Sequence, residues 1–268
     1  MDRVFKRGEV ISEDQRAQVS QRYKRITKAV NSEFWGSESE TAHSLYVGSY
    51  GRGTAINTSD IDMLVELPRD VYERHDALKG NGQSRLLQAV KNAIQSTYPR
   101  SNIRADGQVV KIDFSDGIKF EVLPAFKQLD WWGEWNGKYD YPDSNMGGNW
   151  LTTDPKAEQE AMRKRNRESN GLLFDTCKHM RRVRDEHFKS YKLSGIVIDS
   201  FVYHNIADWH WLSDGEPSTQ PAGTYEKRLY DACPSWLVTL RAPGSGMYVD
   251  ADDSLDCLNK VLYHMSKE

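Results

Sequence analysis

The chain has 268 residues, 38% of them hydrophobic and 28% charged, with a net charge of −3. That length suits one large domain or two packed lobes with a full core, and the slight acidity speaks against a clamp for duplex nucleic acid, which usually carries a basic excess. No apolar run approaches the roughly 20 residues that cross a bilayer, so no membrane association is expected. The opening MDRVFKRGEVISEDQ has basic residues with no apolar core behind them and does not read as a signal peptide. Cys177, Cys233 and Cys257 are scattered and odd in number. They suggest neither a disulfide framework nor structural zinc, and point to a reducing, cytoplasmic setting.

Residues 12–34 read as a helix. Ser12 with Gln15 fits a capping box, Val19, Tyr23, Ile26, Val30 and Phe34 share one face, and Gly36 ends it. Leu45–Val47 is a short strand entering a Gly48-Ser49 turn, and Ile61–Leu67 is a β-rich run closed by Pro68. A helix is expected over Ser84–Tyr98. Val109–Phe114 and Ile118–Pro124 flank Ser115-Asp116-Gly117 and read as a hairpin. Residues 127–154 hold Trp131, Trp132, Trp135 and Trp150 but no steady period; an irregular surface segment is expected, its tryptophans used in packing. Asp154-Pro155 then fits a helix start. The remainder reads as mostly helical, through Leu172–Val183, Leu193–Ala207 and Asp252–Met265, with Lys178 and Arg181 on the polar side of the first. The expected division is a mixed α/β core over 1–150, with the N-terminal helix, and a mostly helical lobe over 151–268.

The chemistry concentrates in VGSYGRGTAINTSDIDMLVEL, Val47–Leu67. Residues two apart in a strand face one side, so Asp60 and Asp62 present their carboxylates together. Two such groups repel unless a cation offsets them, and a hard divalent cation with oxygen ligands does so. Gly48 lets backbone N–H groups approach a phosphate, and Ser49 adds a hydroxyl. Together these point to phosphoryl or nucleotidyl transfer. Glu121 in GIKFEVLPAF is a third carboxylate, able to complete a cation site or to accept a proton from an attacking hydroxyl. Asp113 is its rival, and Glu121 is preferred because Val-Leu-Pro-Ala-Phe after it keeps it in the core sheet.

Gly48-Ser49, then Ser59-Asp60-Ile61-Asp62, then an acidic residue ahead of a VLPAF run, resembles the polymerase-β-like nucleotidyltransferases. Within them the chain is most similar to the bacterial cyclic-oligonucleotide synthases of anti-phage signalling, and YPDSNMGGNWLTTDPKAE (Tyr141–Glu158) extends the likeness. The resemblance implies an α+β nucleotidyltransferase core plus a C-terminal helical lobe that closes on the nucleotide. It also implies synthesis of a cyclic di- or trinucleotide from nucleoside triphosphates with release of pyrophosphate, supported by two Mg²⁺ or Mn²⁺ ions. It implies that Asp60, Asp62 and Glu121 are catalytic and bind the metal, with glutamate where most members have aspartate. Gly48, Ser49, Lys178 and Ser194 match nucleotide-binding positions. Where relatives have a base-stacking tyrosine, this chain has Gly195 and Ile196, so no stacking residue is assigned. The implied partners are the triphosphates and, through the product, a downstream effector, with no duplex-DNA activator. The alternatives are a nucleotidyltransferase acting on a protein or small molecule, and an inactive nucleotide sensor.

Overall fold

The structure is a computed structural model that describes residues 3–6, 10–213, 215–233 and 239–267. Its internal contacts divide the chain into two units. One comprises Ile11–Gly51 and Ser59–Pro155, the other Met1–Val10, Arg52–Thr58 and Lys156–Glu268.

The first unit is a mixed sheet with helices. Helix α1 (Glu13–Phe34) starts where expected, with the Ser12 hydroxyl accepting the Gln15 N–H at 3.2 Å, and it buries Val19, Ile26 and Val30. Then come β1 (Ser44–Tyr46), the five-residue α2 (Gly48–Arg52), β2 (Ile61–Glu66), α3 (Arg69–Asp76) and α4 (Gly82–Thr97). Asn81 caps α4, its Oδ1 accepting the Ser84 N–H at 2.8 Å. Strands β3 (Asn102–Asp106), β4 (Val109–Asp113) and β5 (Lys119–Leu129) follow. The sheet order is β1-β2-β5-β4-β3, with β2 and β5 parallel and the other pairs in that series antiparallel. The expected β4–β5 hairpin is present. Gly117 takes φ +87° at its turn, and Arg22 of α1 grips Asp116 with two hydrogen bonds of 2.9 and 2.7 Å.

Alternation along β2 sets the two faces of the sheet. Ile61, Met63 and Val65 pack into the large core with Ile26 of α1 and Leu86, Val90 and Ile94 of α4. Asp62, Leu64 and Glu66 therefore point to the opposite face. There only a small cluster forms, Leu64 with Val47, Ala125 and Tyr139.

The stretch 127–154 departs from its expected irregularity. β5 runs on to Leu129, β6 (Trp135–Asp143) pairs with it antiparallel, and β7 (Asn149–Thr153) pairs with β6. Backbone pairing defines these strands, while Gly137 and Pro142 and the scarcity of buried apolar positions in β6 conceal the two-residue period. The packing expectation fails for two tryptophans. Trp131 and Trp132 are 91% and 83% exposed at the β5–β6 turn, where Asp130 accepts the N–H groups of Trp132 and Glu134. Trp150 does pack, on Tyr72 and Phe126, and its indole N–H donates to Asp76 at 2.9 Å.

The second unit is mainly helical, with α5 (Pro155–Glu168), α6 (Leu172–His187), α7 (Gly195–Asn205), α8 (Thr224–Asp231) and α9 (Leu255–Ser266), and a small β8 (Leu240–Arg241) and β9 (Tyr248–Val249) pair. Leu173, Met180, Val197, Phe201, Leu258 and Leu262 are among its core residues. Arg181, expected on the polar side of α6, is 1% exposed. Its Nη1 meets the fully buried Asp199 at 2.7 Å, and that ion partner is what permits the burial. Among the described residues, no helix is long and apolar enough to cross a membrane.

Candidate active site

The candidate carboxylates gather around the parallel β2–β5 pair. Asp62 is the second residue of β2 and is the direct register partner of Glu121 on β5. Neighbouring strands lie about 4.8 Å apart and paired positions share a face, so these two side chains leave the sheet together, on the side away from the large core. Asp60 lies just before β2 and is exposed. The expectation of two aspartates within one strand is thus corrected. Only Asp62 has its direction fixed by the ladder, and Asp60 is placed by the loop.

Gly48 closes one side of Asp62. The Val47 N–H donates to the Asp62 carbonyl at 2.9 Å, bringing the start of α2 against β2. At Gly48, φ is +58°, and a Cβ would fall within the Asp62 carboxylate. Only glycine meets both demands. The expected Gly48-Ser49 turn is in fact the first turn of α2, with Ser49 its second residue.

The rival acid is otherwise engaged. Asp113 is held by Arg104 and by the Asn102 amide at 3.0 Å, and its register partner is Lys119. Glu121 has a neighbour that the sequence did not single out. Lys111, its register partner on β4, brings Nζ to 3.4 Å from Glu121 Oε1 and 2.8 Å from Asp106 Oδ2. The bond to Asp106 raises the ammonium pKa above its ordinary value, partial burial opposes that, and Glu121 adds to the rise.

Asp60, Asp62 and Glu121 offer hard oxygen donors, the chemistry a divalent cation requires, and Gly48 meets the Asp62 carboxylate with backbone rather than with a side chain. The donor set fits such a cation. Among the described residues, no three His, Cys, Asp or Glu side chains already stand as a closed ligand set, and Glu121 leans in part on Lys111.

Lys178 and Ser194 belong to the helical unit. Lys178 is half-buried on α6. Ser194 is the N-cap residue of α7, yet its hydroxyl makes no capping bond and is buried without a hydrogen-bond partner. Gly195 receives Arg181, whose Nη2 donates to its carbonyl at 2.9 Å, and a Cβ there would lie 2.9 Å from that same nitrogen. A larger side chain at Gly195 is therefore disfavoured on this backbone.

A buried ion network also escaped the sequence reading. Arg52, the last residue of α2, donates through Nε to Asp199 at 2.8 Å and through Nη1 to Glu158 at 3.0 Å. Thr54 donates to Asp199 as well, at 2.9 Å. Burial pushes the Asp199 carboxyl up, but Arg181 and Arg52 outweigh it and hold it at about 2. The sequence carries no signal for contacts between residues 147 apart.

The mixed sheet thus carries the paired acids Asp62 and Glu121 on one face, with Gly48 against Asp62. Residues 5–166 match the family described as the Second Messenger Oligonucleotide or Dinucleotide Synthetase domain, and the chain belongs to that family. A probable cyclic nucleotide synthase of Bacillus cereus (strain VD146) is 23% identical over 161 residues, 56% of this chain and 47% of that protein. The match thus spans about half the length of this curated relative. Among solved structures, the CdnE c-di-GMP synthase of Capnocytophaga granulosa is similar with a TM-score of 0.63 at 14% identity, over 93% of this chain and 80% of the other. The CdnE c-UMP-AMP synthase of Rhodothermus marinus is similar with a TM-score of 0.60 at 14% identity, over 91% and 88%. The expected α+β fold with a C-terminal helical part is the fold observed.

Proposed function

We propose that this protein is a divalent-cation-dependent nucleotidyltransferase that joins nucleoside triphosphates into a cyclic di- or trinucleotide, a second messenger in anti-phage signalling. The observation that carries this reading is the register pairing of Asp62 with Glu121, beside a Gly48 that tolerates no side chain. Family membership supports it.

Asp60, Asp62 and Glu121 would hold two Mg²⁺ or Mn²⁺ ions, which when bound offset the triphosphate charge and acidify the attacking hydroxyl. The acceptor hydroxyl oxygen bonds to the donor α-phosphorus as the bond to the bridging oxygen breaks, and pyrophosphate leaves. The hydroxyl proton passes to the Glu121 carboxylate. A second transfer, with the nucleotides' roles exchanged, closes the ring. Gly48 and Ser49 would present backbone N–H groups and a hydroxyl to phosphate oxygens. Lys178 and Ser194 are proposed as further nucleotide-binding residues, and the unpartnered buried hydroxyl of Ser194 supports its inclusion. The partners proposed are the triphosphates and, through the product, a downstream effector.

The test is incubation of purified protein with the four ribonucleoside triphosphates and Mg²⁺ or Mn²⁺, followed by phosphatase treatment and mass spectrometry. A phosphatase-resistant cyclic product, lost in Asp60→Asn/Asp62→Asn, is expected. Nucleotide attached to the protein, or triphosphate binding without pyrophosphate release in the presence of cell lysate, would sink the reading.

A further inference from the structure

A row of charged residues crosses one face of the sheet. Register pairs Arg104 with Lys111, Lys111 with Glu121, and Glu121 with Asp62. Read over β3, β4, β5 and β2, the row runs cation, cation, carboxylate, carboxylate. Lys111 stands at the change of sign. It is shared between two acids, closer to Asp106 at 2.8 Å than to Glu121 at 3.4 Å. The Lys111 and Glu121 side chains are each 29% exposed, so water screens their attraction only in part.

We infer that Lys111 is a positioning residue that holds Glu121 and competes with a divalent cation for its carboxylate, while Asp106 draws Lys111 away and so lowers the amount of cation the site requires. This rests on the reading of Glu121 as a cation ligand. With no cation bound, neighbouring carboxylates repel, and an ammonium beside one of them offsets the repulsion. A cation that takes up Glu121 repels the same ammonium. Lys111 then has somewhere to go, because Asp106 already holds it more closely. The two neighbours therefore act in opposite directions. Loss of Lys111 frees Glu121 for the cation, and loss of the Asp106 charge leaves Lys111 wholly to Glu121.

Two residues supply charge-matched controls. Lys119 precedes Glu121 by two positions on β5 and is exposed, and Asp113 is its register partner, held by Arg104 and Asn102. Neither forms an ion pair with Glu121, whose ion partner is Lys111.

The experiment titrates Mn²⁺ alone against the full chain and follows free Mn²⁺ by electron paramagnetic resonance, which needs no turnover. Lys111→Met is expected to bind Mn²⁺ roughly three- to tenfold more tightly, and Asp106→Asn more weakly by a similar factor. Lys119→Met and Asp113→Asn are expected to stay within about twofold of the parent. Equal shifts in the matched controls would mean a general field effect and overturn the inference. So would weaker binding in both Lys111→Met and Asp106→Asn. Weakened binding in Glu121→Gln with no change in Lys111→Met overturns this inference alone, whereas unchanged binding in Glu121→Gln overturns the reading of Glu121 as well. Each variant is melted first; if Lys111→Met does not fold, Asp106→Asn against Asp113→Asn decides.

Discussion

Gly48 and Asp62 approach so closely that a Cβ on the glycine would lie 1.8 Å from the carboxylate Oδ2. The contact is fixed from both sides, by the Val47 N–H bond to the Asp62 carbonyl and by the pairing of β2 with β5. The glycine is therefore part of how Asp62 is aimed.

Gly48→Ala tests that aim. Alanine at φ +58° costs about 1 kcal/mol of backbone strain, and its methyl must displace the Asp62 carboxylate or the start of α2. Thermal melts should record a modest loss of stability. Mn²⁺ binding and product formation should fall together, by roughly tenfold or more. A variant that melts lower but keeps full cation affinity would show that Asp62 does not depend on Gly48 for its position.

Asp199 carries the second prediction. Its carboxylate faces Arg52, Arg181 and Thr54 with no exposure to water. Asp199→Asn would leave two buried guanidiniums without their shared counter-charge and should cost about 3–5 kcal/mol, read by urea unfolding at neutral pH. The pH dependence follows from the depressed carboxyl, held at about 2 in the fold against 3.8 ordinarily. A depressed acid contributes stability that is present above the unfolded value and is lost as pH falls toward the folded one. The parent should therefore lose this contribution between about pH 4 and pH 2, and Asp199→Asn should show a shallower acid slope over that window. Equal slopes in the two proteins would remove Asp199 from the account of acid stability.

Much of this was legible from local pattern. The capping serine of α1, its apolar face and the β4–β5 turn all rest on residues close in sequence. Asp60 was harder, because an Asp-x-Asp spacing looks the same whether a strand starts before it or within it. The β6 and β7 strands were hidden because backbone pairing, rather than a buried apolar row, defines them. Arg181 sits at a polar position of its helix, and only the arrival of Asp199 from α7 makes it a core residue. Lys111 was invisible as a neighbour of Glu121 until the hairpin register was known. In each case the missing term is a contact distant in sequence, for which local propensity holds no information.

The hairpin tip offers a prediction of no effect on folding. Trp131 and Trp132 are almost wholly exposed, so replacing both by serine removes little buried area. The Asp130 bonds that shape the turn go to backbone N–H groups, which the substitutions keep. Stability should stay within about 0.5 kcal/mol of the parent in urea unfolding. A larger loss would mean that the indoles are covered in solution.

Glu121→Asp separates charge from reach. The substitution keeps a carboxylate but withdraws it by one methylene, about 1.5 Å, and the Lys111 contact at 3.4 Å would stretch beyond ion-pair range. If the site needs the charge more than the length, Glu121→Asp should keep product formation within roughly tenfold of the parent. Glu121→Gln, which retains shape but no charge, should lose at least the roughly 10–100-fold typical of even outer-shell metal partners. The cation dependence of the rate should also move. Freed from Lys111, the aspartate variant should saturate at lower Mn²⁺ than the parent. Equal rates for the Asp and Gln variants would show that the length of Glu121, or its bond to Lys111, matters more than its charge.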